Sequence, residues 1–318
     1  MMEKGLRLGV SSCLLGDEVR YDGQHKLDRF VAHTLGRYVE FVPVCPEVEC
    51  GLSVPREAMR LVGDPDDPKL VTVRSEQDMT ARMLEWARAR VRELESENLS
   101  GFIFKSKSPS SGMERVKVYS AKGGPGRKAG VGLFAREFMR HFPLLPVEEE
   151  GRLHDPHLRE NFIERIFVMK RWRDMREEGP SWPALIDFHT RHKLLIMAHS
   201  PEHYRQMGRF VAAGPREDLE AQLDEYLALL MDGLRHIATS AKNTNVLQHI
   251  QGFFKQQLDG DEKQELVELI ENYHKGILPL VVPVTLLNHY VRKYPDSYLR
   301  DQVYLHPHPV ELQLRNHV

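Results

Sequence analysis

The sequence predicts an α/β domain with a parallel sheet flanked by helices, followed by an all-α helical domain. Short apolar runs alternate with helix-like segments as far as Pro143, and helical periodicity dominates after it. A stretch rich in proline, glycine and charge, from Leu144 to Arg152, separates the two patterns. We therefore expect one domain over residues 1–147 and a second over residues 148–318.

In the first domain, three short apolar runs predict strands, at 6–10, 38–44 and 101–105. Helices are predicted between and after these strands, at 26–35, 76–95 and 130–141. Strand–helix–strand alternation favours a parallel sheet. Ligands of such sheets bind in a crevice at the carboxyl ends of the strands.

The second domain is predicted to contain helices at 158–176, 183–198, 201–213, 216–241, 243–258, 262–276 and 283–293. Prolines 183, 201 and 283 stand where helices are expected to begin. Histidine pairs such as His189 and His192 share a helix face, but no H-E-x-x-H pattern accompanies them. We therefore predict no metal site in this domain.

The composition is that of a soluble globular protein, with 41% hydrophobic and 28% charged residues in a chain of 318. No apolar run is long enough to cross a membrane, and the N-terminal apolar run is too short for a signal peptide. We therefore expect a cytoplasmic protein without a membrane partner. The net charge of −2 means that a nucleic-acid site would require a local basic patch. The sequence does not indicate the oligomeric state.

The three cysteines all precede residue 51, which disfavours a disulfide framework and favours thiolate chemistry in a reducing compartment. Cys13 and Cys45 each follow a predicted strand, so we expect both at one edge of the sheet. Paired thiols there could bind a cluster, attack an electrophile or fill space as small apolar groups. The C-x-x-C pairs typical of zinc sites are absent.

Further candidate residues surround these cysteines. Glu47, two residues after Cys45, is a candidate general acid or base, although a solvated turn residue is equally compatible. Cations near the three strand ends could hold a phosphate or an anionic substrate, namely Arg56, Arg60, Lys105, Lys107 and Arg115. Each could instead be a solvated surface residue. The glycine-rich run 121–132 could hold a phosphate or form a mobile loop.

Three segments of the second domain mix cations, aromatic residues and amides: 188–193, 204–209 and 242–249. This mixture suits RNA, because aromatic and arginine side chains stack on bases while cations contact phosphates. Helix packing with buried polar groups would use the same residues.

Several motifs carry a family resemblance. Ser12-Cys13-Leu14-Leu15-Gly16, Pro43-Val44-Cys45-Pro46-Glu47 and Ser108-Pro109-Ser110-Ser111-Gly112 resemble the thiouracil desulfidase (TudS-like) family over roughly residues 5–145. The second half is similar to the YbgA-like helical domain, through Phe188-His189-x-x-His192-Lys193 and Asn243-Thr244-Asn245-Val246-Leu247 among others. The fusion of both resembles the RudS tRNA 4-thiouridine desulfidases.

The resemblance implies an iron–sulfur enzyme that converts 4-thiouridine in tRNA to uridine in a hydrolase-like reaction. A [4Fe-4S] cluster would be held by Cys13, Cys45 and the residue at position 111, where serine replaces the family's third cysteine. Glu47 and Ser108 would handle protons and orient the substrate, and Ser12 would contribute to substrate binding. The helical domain would bind tRNA.

Ser111 leaves alternatives open, because a serine oxygen is a poor substitute for thiolate on a soft cluster. The chain could be a cluster-deficient, non-catalytic tRNA-binding protein, or a desulfidase of free thiouracil. Cys50, five residues after Cys45, could also supply the missing ligand after a loop shift.

Overall fold

The computed structural model describes residues 5–317 and divides them into two compact units, the first ending at Asp155 and the second beginning at Pro156. The first unit contains a parallel sheet flanked by helices, and the second is built from helices. The predicted fold class is therefore confirmed.

The strands of the first unit are β1 (Arg7–Ser11), β2 (Glu40–Val44), β3 (Met59–Gly63), β4 (Pro68–Thr72), β5 (Leu99–Phe104), β6 (Val116–Tyr119), β7 (Arg127–Gly130) and β8 (Val147–Glu149). Four of them form an all-parallel sheet in the order β2-β1-β5-β8. Because β2 and β5 flank β1 on opposite sides, the chain changes direction across the sheet beside β1. Such a switch point is where ligands bind in open α/β folds.

A second, mixed sheet has the order β4-β3-β6-β7, and the sequence analysis did not predict it. The strands β3 and β6 are parallel, while β4 and β7 pair antiparallel with their neighbours. The glycine-rich run, expected to be a mobile loop or a phosphate cradle, instead includes strand β7 and the turn that joins it to β6. The mobile-loop interpretation is therefore wrong for Arg127–Gly130, which pair with β6, and the phosphate-binding interpretation stays a prediction.

Helices α1 (Pro46–Glu49), α2 (Thr80–Glu93) and α3 (Leu133–His141) complete the first unit. The helix predicted at 26–35 is shortened to a π-helical turn, Phe30–Thr34, and a 3-10 turn, Leu35–Arg37. The backbone N–H groups of Lys26 and Asp28 donate to the carbonyls of Cys13 and Leu14, at 2.8 and 2.9 Å. These bonds hold the start of the segment against the cysteine turn and prevent its first helical turn from forming.

The two sheets are anchored by separate apolar groups. Phe102 and Phe104 of β5 stack at 4.4 Å between ring centres, and Phe134 and Phe138 of α3 pack on them. The inner face of the second sheet packs with helix α2 through Leu61, Leu70, Met79, Met83, Val116, Val118 and Leu133. Both cores fix the loops that follow the strands.

The helices of the second unit are α4 (Pro156–Glu178), α5 (Trp182–His199), α6 (Pro201–Ala212), α7 (Leu219–Arg235), α8 (Ser240–Phe253), α9 (Gly260–His274), α10 (Val281–Lys293) and α11 (Ser297–Arg300). Side-chain caps begin several of them: Ser181 accepts the Ala184 N–H at 3.2 Å, and Asp259 forms a capping box with Glu262. Within residues 5–317, none of the helices has the length and apolar character that a membrane crossing requires.

Candidate active site

A crevice of about 380 Å³ opens at the carboxyl ends of the parallel strands of the first unit. Cys13 lies just past the end of β1, Cys45 follows β2 directly, and Lys105 follows β5. The edge at which these strands end therefore brings together residues that are up to 92 positions apart in the sequence. This convergence is what parallel pairing predicts.

Local structure holds both thiols in fixed positions. Cys13 lies in a 3-10 turn, Ser12–Leu14, and Cys45 is the residue before helix α1, whose first residue is Pro46. The Cys45 N–H donates to Glu49 Oε1 at 2.8 Å, which closes the first turn of the helix. Each cysteine is only 9% exposed.

Burial makes both thiols weak acids. Desolvation raises the pKa of Cys13 to about 11 and the pKa of Cys45 to about 12. Both thiols are therefore protonated at neutral pH in the absence of a bound metal. A metal centre would release these protons as it binds.

The third segment forms a tight turn, Ser108 to Gly112, whose Gly112 N–H donates to the Ser108 carbonyl at 2.9 Å. Helix α3 begins against it: the Phe134 N–H donates to the Ser110 carbonyl at 2.9 Å. A β-carbon at Gly132 would lie 2.5 Å from that carbonyl, so only glycine allows the approach. The start of the helix thus fixes the position of the serine turn.

Glu47 connects this turn to the cysteines. Its Oε1 accepts a hydrogen bond from the Ser110 hydroxyl, which in turn lies 2.9 Å from the Ser108 hydroxyl. Its Oε2 lies 3.6 Å from Cys45 Sγ, which donates to it, and 3.8 Å from Arg56 Nη2. The carboxylate is therefore held between a hydroxyl chain, a thiol and a guanidinium, an arrangement that can move a proton within the crevice.

Lys105 is committed to a partner. Its Nζ lies 2.6 Å from Glu150 Oε1, and Glu150 also accepts the Ser106 N–H at 2.7 Å. Burial alone would raise the pKa of Glu150, but the Lys105 ammonium and the Ser106 donors hold that pKa below its usual value. Lys105 therefore serves first as the counter-charge of Glu150.

Nine of the eleven predicted site residues line the crevice: Ser12, Cys13, Cys45, Glu47, Arg56, Lys105, Lys107, Ser108 and Ser111. The other two, Arg60 and Arg115, are not among the lining residues of the crevice and lie in an adjoining groove. Cys50 does not line the crevice either, because it packs on the apolar cluster beneath the second sheet.

Two residues of the site were missed by the sequence analysis. Ser110 stands inside a motif that was recognised, but its role as donor to Glu47 has no separate sequence signal. Glu150 belongs to a charge run that was interpreted as a linker, and only the pairing of β8 with β5 places it beside Lys105.

Of the three positions expected to hold an iron–sulfur cluster, 13, 45 and 111, two carry a suitable ligand. Cys13 and Cys45 supply soft donors, whereas Ser111, 3% exposed, presents a hydroxyl. The buried Ser12 hydroxyl has no hydrogen-bond partner among the described residues, so a polar group bound in the crevice would give it one. Because an alkoxide is a hard, high-pKa ligand, the third position does not fit the cluster.

The helical unit differs from the prediction in one respect. Phe188, His189 and His192, expected as part of an RNA-contacting segment, are buried, and His192 stacks on Phe188 with ring centres 3.9 Å apart. These rings are therefore not available for stacking on bases. Among the described residues, Glu160, Glu164 and His308 could form a metal site, but Arg315 already pairs with both carboxylates at 3.0 and 2.8 Å.

Buried thiols, a carboxylate and cations at the carboxyl edge of a parallel sheet define an α/β protein with a candidate active-site crevice, linked in sequence to a helical unit. Residues 8–150 match the model of the 2-thiouracil desulfurase family, and residues 193–309 match that of a family of unknown function, DUF1722. The chain belongs to these two families, one for each unit. The predicted family resemblance is confirmed.

Relatives match the chain in part. The uncharacterized protein YbgA of Escherichia coli K12 is 37% identical over 153 residues, which is 48% of this chain and 90% of YbgA. The uncharacterized protein YbbK of Bacillus subtilis 168 is 34% identical over 109 residues, 32% of this chain and 71% of YbbK. A solved structure, the [4Fe-4S]-dependent thiouracil desulfidase TudS, is 29% identical, covers 47% of this chain and 94% of its own, and has a TM-score of 0.38.

Proposed function

We propose that the first unit removes sulfur from thiolated uracil in its crevice and that the substrate is 4-thiouridine in tRNA. The observation that carries this proposal is the convergence of Cys13, Cys45 and Glu47 on one crevice, in a unit that belongs to the 2-thiouracil desulfurase family. A thiocarbonyl and water give a carbonyl and hydrogen sulfide, so the reaction needs no net redox change.

The cofactor that we propose is a [4Fe-4S] cluster held by Cys13 and Cys45. Such a cluster would supply a Lewis acid with affinity for sulfur. The thiolated nucleoside must leave its base stack to reach the crevice, as the target nucleosides of other base-modifying enzymes do.

The chain's own residues supply the proton chemistry. Glu47 removes a proton from the attacking water, and Arg56 and Ser110 hold its carboxylate in place. The Ser108 hydroxyl, 2.9 Å from that of Ser110, extends the path by which the proton returns to solvent or substrate. Ser12, whose buried hydroxyl meets no partner within residues 5–317, donates to the uracil carbonyl.

Ser111 lowers the affinity of this chain for the cluster. The residue is buried in the serine turn, where its backbone N–H donates to the Ser108 hydroxyl at 3.1 Å. The turn therefore holds the backbone of residue 111 in place. Replacement by cysteine restores a soft ligand without changing the shape of the turn.

Anaerobic reconstitution with iron and sulfide tests the proposal in the full chain and in Ser111→Cys. We expect the cysteine variant to take up about four iron atoms per chain and to release sulfide from thiolated tRNA, and the unchanged chain to do both less well. Ser111→Ala, which also lacks a thiol, is the matched control. A Ser111→Cys variant that binds the cluster but leaves thiolated tRNA and thiouracil intact would contradict the proposed enzymatic function.

Two further outcomes identify the alternatives. If Ser111→Cys acts on thiouracil and not on thiolated tRNA, the substrate is the free base. The second candidate function, a non-catalytic tRNA-binding protein, is favoured by the hydroxyl at position 111. It would be supported if the unchanged chain binds tRNA tightly but contains no iron when purified without oxygen.

A further inference from the structure

A second groove, of about 810 Å³, adjoins the crevice on the first unit. Met59, Ser106, Lys107 and Pro109 line both, so the two spaces share a wall. We call this space the basic groove because six cations line it: Arg60, Lys107, Arg115, Lys117, Lys128 and Arg152. Its two acidic lining residues are Glu114 and Glu149.

The register of the second sheet places three of these cations in a row. Lys117 of β6 lies directly opposite Lys128 of β7. On the other side, Leu61 of β3 pairs with Val118, so Arg60 lies beside Lys117. Because side chains alternate along a strand, these cations occupy the face away from the buried Leu61 and Val118.

Two like charges directly opposite each other destabilise a sheet. Among residues 5–317, Lys117, Lys128 and Lys107 have no ion-pair partner, although many other cations of the unit do. Arg60 has one exposed partner, Glu76, at 3.6 Å. The two opposed lysines therefore have no carboxylate among the described residues that would relieve their repulsion, and a bound phosphate would supply the negative charge.

The acidic residues of the groove are already engaged. Glu149 Oε1 accepts the Met113 N–H at 3.0 Å, and Glu114 pairs with Arg152 at 3.1 Å and with its neighbour Arg115. Within residues 5–317, these bonds leave Lys107, Lys117 and Lys128 as the cations of the groove that no carboxylate pairs with.

An aromatic ring lies on the same face. Tyr119, two residues after Lys117, has the Arg60 guanidinium 5.6 Å from its ring centre. A β-carbon at Gly126 would lie 3.0 Å from the ring, so the glycine lets the backbone of the turn pack against Tyr119 and hold the ring in place. Tyrosine and arginine side by side form a surface on which a nucleobase can stack.

We propose that the basic groove binds the backbone phosphates and one base of a single-stranded polynucleotide that flanks the nucleotide in the crevice. This inference rests on the proposed function, because it assigns the neighbouring nucleotides of the same substrate. Phosphates contact Lys117, Lys128 and Lys107, and the base adjacent to the thiolated one stacks on Tyr119. The first unit thus binds the RNA strand itself, independently of the helical unit.

Fluorescence anisotropy of a labelled single-stranded RNA without thiolated bases tests the inference, using the full chain as purified over a series of salt concentrations. Lys117→Glu/Lys128→Glu is compared with Arg37→Glu/Arg92→Glu, which changes the charge of the same unit equally at exposed positions outside the groove. We expect the groove variant to lose about tenfold or more in affinity and about two units of salt slope. The control should lose less than about twofold.

Two single variants separate binding from folding. Lys128→Glu places opposite charges across β6 and β7, so its thermal midpoint should equal or exceed that of the unchanged chain while its RNA affinity falls. Tyr119→Ala should weaken binding by about fivefold or more, and Tyr119→Phe should not.

Equal affinity of the groove variant and the unchanged chain would overturn the inference, as would equal losses in both double variants. Absence of RNA binding by the unchanged chain would overturn it as well. Because this assay requires neither a cluster nor sulfur, it can fail while sulfide release from thiouracil succeeds, and the reverse is also possible.

Discussion

The Ser110 hydroxyl donates a hydrogen bond to Glu47 Oε1 and so joins the turn after β5 to the first turn of helix α1. Ser110 is fully buried, and Arg56 approaches the other carboxylate oxygen of Glu47 at 3.8 Å. The carboxylate is thereby held from two sides. A general base needs this fixed geometry more than it needs further contacts.

Ser110→Ala should therefore impair the reaction more than the binding of substrate. In the cluster-loaded Ser111→Cys background, we expect kcat for sulfide release to fall about tenfold and KM to change less than about twofold. Ser100→Ala is the matched control, because Ser100 is equally buried, lies on β5 and has a hydroxyl without a partner in the described part of the chain. Equal losses in both variants would contradict a positioning role for Ser110.

Glu150→Gln should destabilise the first unit, because it leaves the Lys105 ammonium largely buried without its counter-charge. We expect the free energy of unfolding in urea to fall by about 2 kcal/mol, below the range for fully buried pairs since both side chains retain some exposure. The double variant Lys105→Met/Glu150→Gln removes the cation and keeps an acceptor for the Ser106 N–H, so it should recover most of this loss. A double variant as unstable as Glu150→Gln would show that the pair acts through packing and not through charge.

Gly132→Ala tests how helix α3 holds the serine turn. The new β-carbon would lie 2.5 Å from the Ser110 carbonyl and 2.7 Å from the Ser111 nitrogen, so the turn or the helix must move. We expect a loss of about 1–3 kcal/mol in urea unfolding. Gly208→Ala, in the middle of helix α6 with no atom within 4 Å, should instead stabilise the chain by about 1 kcal/mol. A lower free energy of unfolding in Gly132→Ala, together with a higher one in Gly208→Ala, would confirm the close contact between Gly132 and the serine turn.

The sequence was sufficient to predict that Cys13, Cys45 and Lys105 meet, because parallel strands that end at one edge bring their following residues together. The family motifs added Glu47 and the serine turn. These predictions depend on short apolar strands, which a single sequence reveals well. They do not depend on knowing the register of any pair of strands.

Features that depend on register could not be predicted. Strands β3 and β4 carry charged residues and a proline, so neither shows a clear alternation. The opposition of Lys117 and Lys128 follows a register shift after Val116 that no local pattern indicates. The helix expected at 26–35 failed for a related reason, since its first N–H groups donate to the cysteine turn instead.

The stability of the helical unit should fall in mild acid. Burial lowers the pKa of His192 to about 3 and the pKa of His189 to about 4, so both imidazoles stay neutral in the folded chain. In the unfolded chain they titrate near pH 6.5. Below that pH the unfolded state binds more protons than the folded state, and stability is lost as the pH falls from about 6.5 towards 4. Each histidine contributes up to about 1.4 kcal/mol per pH unit in this window.

His192→Asn provides the test, because asparagine retains a donor for the Phe188 carbonyl, which His192 Nδ1 contacts at 2.7 Å, but does not titrate. The variant loses the ring that stacks on Phe188, so it should be less stable than the unchanged chain at pH 7. Its free energy of unfolding in urea should nevertheless decrease less between pH 7 and pH 5, by about 2 kcal/mol. His33→Asn makes the same chemical change at an exposed position. The effect is expected because the buried Nε2 of His192 has no acceptor among the described residues for the proton that it would gain. A pH dependence that is the same in the unchanged chain and in His192→Asn would therefore mean that proton uptake at other groups governs the loss of stability in acid.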